Sequence, residues 1–111
     1  MRNVLLFTLI LLLASCKTDT KVDIQTLSSY SGDDINVVIE IPAGTNHKIE
    51  YNDASDRFEN DQINGMDRVV QFLPYPGNYG FIPGTLMEKS KGGDGDALDV
   101  LLLGESLPTA T

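Results

Sequence analysis

Three aspartates, Asp94, Asp96 and Asp99, stand close together in "GGDGDALDVLLLGES" and run straight into the apolar segment Val100 to Leu103. On an extended strand Asp94 and Asp96 face one way and Asp99 the other. The three converge only if the backbone turns between Asp96 and Asp99, and Gly93 and Gly95 allow such a loop. Carboxylates gathered without a counter-charge raise one another's pKa values, a cost that a hard divalent cation removes. Ligands that are all oxygen suit magnesium or manganese. The alternative, equally open from the triplet alone, is a solvated acidic turn at the mouth of a buried strand. A calcium EF-hand fails: with Asp94 as its first position, Leu98 and Asp99 fall where the motif needs an oxygen ligand and a glycine.

Other stretches add groups of complementary type. Glu40 ends a strand in "IEIP", and Lys48 and Glu50 share one face of "HKIEY". Arg68 lies in "MDRVV", and Tyr75 and Tyr79 stand four apart in "YPGNYG". Carboxylates, a lysine, an arginine and two phenols suit phosphoryl chemistry, in which metals bridge phosphate oxygens and cationic donors hold the leaving group. Each also has an ordinary explanation as a solvated strand face, a surface charge or a half-buried ring. His47 has no second His and no neighbouring Cys to make a zinc site.

The elements that must position these groups read as short strands. Ile35 to Ile41 is rich in β-branched residues and stops at Pro42, Ala43 and Gly44. "HKIEY" predicts a second strand, "MDRVVQFL" a third and "ALDVLLLG" a buried last one, while "NDASDRFENDQING" predicts a polar hairpin connection. "PYPGNYGFIPGTL" is dense in Pro and Gly and predicts mostly irregular backbone. Short strands with turn-rich loops suggest a small barrel or part of one.

The chain of 111 residues has room for one domain, and its start stands apart. "MRNVLLFTLILLLASC" has a positive start, an apolar run from Val4 to Leu13 and small residues before Cys16, the layout of a secretory signal. "LASC" resembles a bacterial lipoprotein box, cleaved before Cys16 and acylated on its thiol. The expected organisation is a signal peptide over 1–15, a lipidated Cys16 with a polar tether over 16–34, and a β domain over 35–111. Eight Lys or Arg against 16 Asp or Glu, a net charge of −8, with no basic cluster, argue against nucleic-acid binding.

"VVIEIPAG", "KIEY", "PYPGNYGFIPGT" and "DGDALDVLLLG", in this order, resemble the soluble, magnesium-dependent inorganic pyrophosphatases of family I, from about Ile35 to Gly104. The resemblance implies a mainly β fold, a partial OB-like five-stranded barrel incomplete at the C-terminus, and hydrolysis of pyrophosphate to two phosphates. It implies Asp94 and Asp99 as Mg2+ ligands and Asp96 as the group that takes a proton from the attacking water. Lys48, Arg68 and Tyr79 would contact the substrate phosphates, with Glu40, Glu50 and Tyr75 in support. The family continues beyond this acidic loop into further metal and phosphate ligands, so the chain is expected to be a fragment with little activity alone. The alternatives are a lipoprotein that binds a divalent metal or phosphate without turnover, or an interaction module. The leader predicts a lipid-anchored protein of the bacterial cell envelope; the family habit is cytoplasmic, and a homo-oligomer stays open.

Overall fold

The computed structural model describes residues 21–111. The predicted signal peptide, Cys16 and the first part of the predicted tether lie outside the described residues. Among the described residues, regular structure consists of nine short strands and two 3-10 turns, with no α-helix.

The core is a three-stranded antiparallel sheet of β3 (Val38–Ile41), β8 (Asn78–Ile82) and β9 (Leu98–Leu102), with β8 in the centre. Every residue of β3 is buried, as its β-branched run predicts for a strand covered on both faces. Its register against β8 shifts at one point: Ile39 pairs with Gly80 and Ile41 with Tyr79, leaving Glu40 as the extra residue of a bulge. A bulge breaks the alternation of side chains and re-aims one of them.

The central strand corrects the expectation of irregular backbone over "PYPGNYGFIPGTL". Residues 78–82 form a regular strand because Gly80 lets β3 approach closely. A Cβ there would overlap the Val38 carbonyl oxygen and stand 2.9 Å from the carbonyl carbon. Asn78, fully buried, ties three segments together. Its Oδ1 accepts from the amides of Ala43 (3.1 Å) and Leu107 (2.8 Å), and its Nδ2 donates to the Glu105 carbonyl (2.8 Å).

A second correction concerns "NDASDRFENDQING", which contains strands and is more than a connection. β4 (Ile49–Asn52) pairs with β5 (Arg57–Asn60), and β6 (Gln62–Ile63) pairs with β7 (Met66–Asp67). The second hairpin turns on Asn64 and Gly65, both at positive φ (54° and 75°), the two-residue turn that Asn-Gly favours. The predicted third strand stops early. Beyond Asp67 only Val69 bridges, to His47, and Phe72 is 89% exposed.

The apolar run into β9 is not buried as predicted. Among the described residues β9 pairs only with β8 and is the edge of its sheet, and Leu98, Leu101, Leu102 and Leu103 are all exposed. The described strands form an open, partial OB-like arrangement and close no barrel. Residues 21–34, read as tether, include a 3-10 turn (Ile24–Thr26) and a hairpin of β1 (Tyr30–Ser31) with β2 (Asp34–Ile35).

Candidate active site

A cavity of about 510 Å³ opens beside the three-stranded sheet, and seven of the nine predicted site residues line it: Glu40, Lys48, Glu50, Tyr79, Asp94, Asp96 and Asp99. Each arrives from a different local cause. The bulge in β3 leaves Glu40 out of the regular register, Lys48 immediately precedes β4, and β4 carries Glu50. Tyr79 comes from β8, and Asp99 from β9, where it pairs with Phe81.

The bend of the acidic loop falls at Gly95 and Asp96. Gly95 sits at φ +96°, and the Asp94 carboxylate accepts from the Asp96 amide (3.0 Å), closing a small side-chain turn. The neighbouring segment fastens this bend: the Met87 amide donates to the Asp96 carbonyl (2.7 Å), and the Gly95 amide to the Met87 carbonyl (2.8 Å). Gly93 is required as well, since a Cβ there would run into the Met87 backbone.

Electrostatics divide the lining groups. Glu40 is only 8% exposed, and burial pushes its carboxyl up to about 7; the Tyr51 amide, which donates to Oε1 at 2.7 Å, works against that, and the charges of Glu50 and Asp99 add to it. Tyr79 is pushed well above the usual phenol range, first by burial and then by the adjacent Asp99 carboxylate. Burial opposes the charge on Lys48, but its ion pair with Glu50 outweighs this, and the ammonium is held above its ordinary value. At neutral pH Lys48 is therefore a cation and Tyr79 a phenol, each a donor beside a carboxylate on the cavity lining.

The remaining two predicted residues stand outside the lining. Arg68 pairs with Asp61 (2.9 Å) on the surface, although its carbonyl accepts from the Lys48 amide (2.9 Å) and so sits one strand away. Tyr75 packs against Tyr79 with ring centroids 5.3 Å apart. Residues that the sequence reasoning missed also line the cavity, among them Tyr51, Asp53 and Phe81. Tyr51 stacks on Phe81 (6.1 Å, 29°) and packs against Phe58 (5.3 Å). Its place beside Glu50 in "KIEY" was the available signal, whereas nothing local marks Asp53.

The donor set is all oxygen apart from Lys48, which suits a hard divalent cation. Among the described residues, however, no group of three or more His, Cys, Asp or Glu is gathered closely enough to hold a metal ion.

The described residues thus form an open OB-like β domain with carboxylates, an ammonium and a phenol around one cavity. The sequence profile described as inorganic pyrophosphatase matches residues 37–111, and the chain belongs to that family. An inorganic pyrophosphatase of Neisseria meningitidis serogroup A is 49% identical over 89 residues, which is 79% of this chain and 44% of the relative. One from Saccharolobus solfataricus is 52% identical over 73 residues, 65% of this chain and 36% of the relative. Among solved structures, the crystal structure of an inorganic pyrophosphatase from Neisseria gonorrhoeae superposes with a TM-score of 0.60 at 44% identity, covering 79% of this chain and 47% of that one. The enzyme from Thermus thermophilus superposes with a TM-score of 0.64 at 33% identity, covering 81% and 48%. The chain spans less than half the length of these relatives.

Proposed function

We propose that the cavity binds magnesium and pyrophosphate and takes part in hydrolysis of the P–O–P bridge by water. The observation that carries this reading is the meeting of Glu40, Lys48, Glu50, Tyr79, Asp94, Asp96 and Asp99 around one cavity in a chain of the pyrophosphatase family. Asp94 and Asp99 would hold the ion. When bound, magnesium supplies charge neutralisation for the phosphates and acidifies water.

The chain's own groups then divide the work. Asp96, on the bend of the acidic loop, takes the proton from the attacking water as its oxygen bonds to phosphorus. The bridging P–O bond breaks and the second phosphate leaves with the bond's electron pair. Lys48 and the Tyr79 hydroxyl donate to the phosphate oxygens, fixing the geometry and offsetting the charge that develops. Arg68 joins them on leaving Asp61, an exposed ion pair worth only about 0.2–1 kcal/mol. Glu50 holds Lys48 in place, the buried Glu40 braces β4 through the Tyr51 amide, and Tyr75 backs Tyr79.

Slow turnover by this chain alone is part of the proposal, and the second reading is binding of metal and phosphate without turnover. Phosphate release measured with and without magnesium separates the two. Loss of release in Asp96→Asn, with magnesium binding kept, supports the base assignment; full release in that variant would show it to be wrong.

The lipid anchor is proposed on the sequence alone: "LASC" after an apolar run supports acylation of Cys16, which would hold the protein on the bacterial cell envelope. Cys16→Ser should leave the protein in the soluble fraction. Recovery of soluble wild-type protein with Met1 intact would favour the cytoplasm.

A further inference from the structure

The cavity has a wall ahead of the family match, which begins at residue 37. Ile24 and Gln25, on the 3-10 turn, line it beside Tyr51 and Asp53. This segment is fastened at two places. At one end, Gln25 Nε2 donates to the Asp53 carbonyl (2.8 Å), and Lys21 pairs with Asp56 (2.6 Å), whose second oxygen accepts from the Tyr51 hydroxyl (2.8 Å). These partners lie on the β4–β5 hairpin, the element that carries Glu50 next to Lys48.

At the other end, Ser29 Oγ donates to the Pro83 carbonyl (2.6 Å) in a half-buried bond. Pro83 opens the turn after β8, where Gly84 at φ +69° leaves room for the hydroxyl: a Cβ on it would stand 3.2 Å from Ser29 Oγ. Thr85, in the same turn, accepts from the Leu98 amide (2.9 Å) and so sets where β9, and with it Asp99, begins. The segment therefore runs from the β4–β5 hairpin, which carries Glu50 and follows Lys48, to the turn that seats the acidic strand, with the cavity between them.

We propose that residues 21–29 are a positioning strap that sets the separation of the two walls of the cavity, with Gln25 its positioning residue toward the Lys48–Glu50 wall. The proposal rests on the pyrophosphate reading given above. Gln25 acts through Asp53 and Tyr51 and touches no reacting atom, so its removal alters how well both walls reach one ligand and leaves the bond-breaking groups intact. Misplacement of a binding group by about 1 Å costs up to about a hundredfold, and release of one fastening should cost about tenfold in affinity.

The test uses the full chain and magnesium pyrophosphate, with calorimetric titration, hydrolysis kinetics and a melting curve for wild type, Gln25→Ala, Ser29→Ala and the double variant. The expected result is a rise of about tenfold in Kd and KM for Gln25→Ala, with kcat within about twofold and the melting point unchanged. A strap works only while both ends hold, so the double variant should match the worse single variant and not the sum of the two. Wild-type affinity in Gln25→Ala, or additive losses in the double variant, would overturn the strap while leaving the pyrophosphate reading standing. Absence of both heat and phosphate release in wild type would overturn that reading and the strap with it.

Discussion

Glu40 offers the most direct test of how the fold strains its own site. Its carboxyl moves from 4.5 to about 7 on folding, chiefly through burial, so the folded state binds the proton more tightly than the unfolded chain does. Stability from this group is therefore fully present below the unfolded value and is lost as pH rises through the folded one. A shift of about 2.5 units corresponds to about 3.4 kcal/mol in all, of which about 2.5 kcal/mol falls between pH 5 and pH 8. Glu40→Gln removes the titration and keeps the side-chain oxygen that accepts from the Tyr51 amide. Urea unfolding at both pH values should show the variant gaining about 2.5 kcal/mol on wild type in going from pH 5 to pH 8. Exposed carboxylates held below their usual values, such as Asp56, beside Lys21 and Tyr51, change stability in the opposite sense at lower pH, but they are common to both proteins and cancel in the difference. An offset between variant and wild type that is the same at both pH values would refute the account, since it would mean that Glu40 is solvated in the folded protein.

Other outcomes follow from single contacts. Gly80→Ala should destabilise by more than about 4 kcal/mol, or prevent folding, because the new methyl overlaps the Val38 carbonyl; a melting point within a few degrees of wild type would place β3 elsewhere. Asn78→Ala leaves the part-buried amides of Ala43 and Leu107 without their acceptor and should cost about 3 kcal/mol in denaturant unfolding. Gly65→Ala must hold an L-residue at φ +75° with open space around its Cβ, and should cost about 1–2 kcal/mol in denaturant unfolding through backbone strain alone. Lys48→Ala should weaken phosphate binding and also relieve the need for Glu50 to be paired, so Glu50→Gln added to it should have a smaller effect than in wild type.

The parts of this protein legible in the sequence are those with local causes. Asp94, Asp96 and Asp99 are close along the chain, and two glycines let their backbone bend, so their meeting at one cavity follows from a handful of adjacent residues. The strand character of Val38 to Ile41 is likewise local, a β-branched run stopped by a proline. The Asn-Gly turn is present in the letters, but strands of two residues carry no periodic signal, so the stretch predicts only a polar hairpin connection.

What only the tertiary structure decided involves partners far apart in sequence. "NYGFI" becomes the central strand although it contains a glycine and follows a proline-rich stretch, because Gly80 is what admits β3 at close range. The apolar run through Leu103 becomes an exposed edge because pairing with β8 occupies only one side of it, and no local pattern states how many neighbours a strand will have. Glu40 turned out to be a buried carboxyl on a bulge, a property of its register against Tyr79 and Gly80 and not of "IEIP". Lys48 reaches the cavity while Arg68, one strand away, is held by Asp61 on the surface, a choice made by side-chain pairing across β-ribbons. Residue types and their order determined the chemistry available to this chain; the register of β3 on β8 and the strap from Gln25 to Ser29 determine which of those groups face one another, because distance in space is set by pairings that distance in sequence does not record.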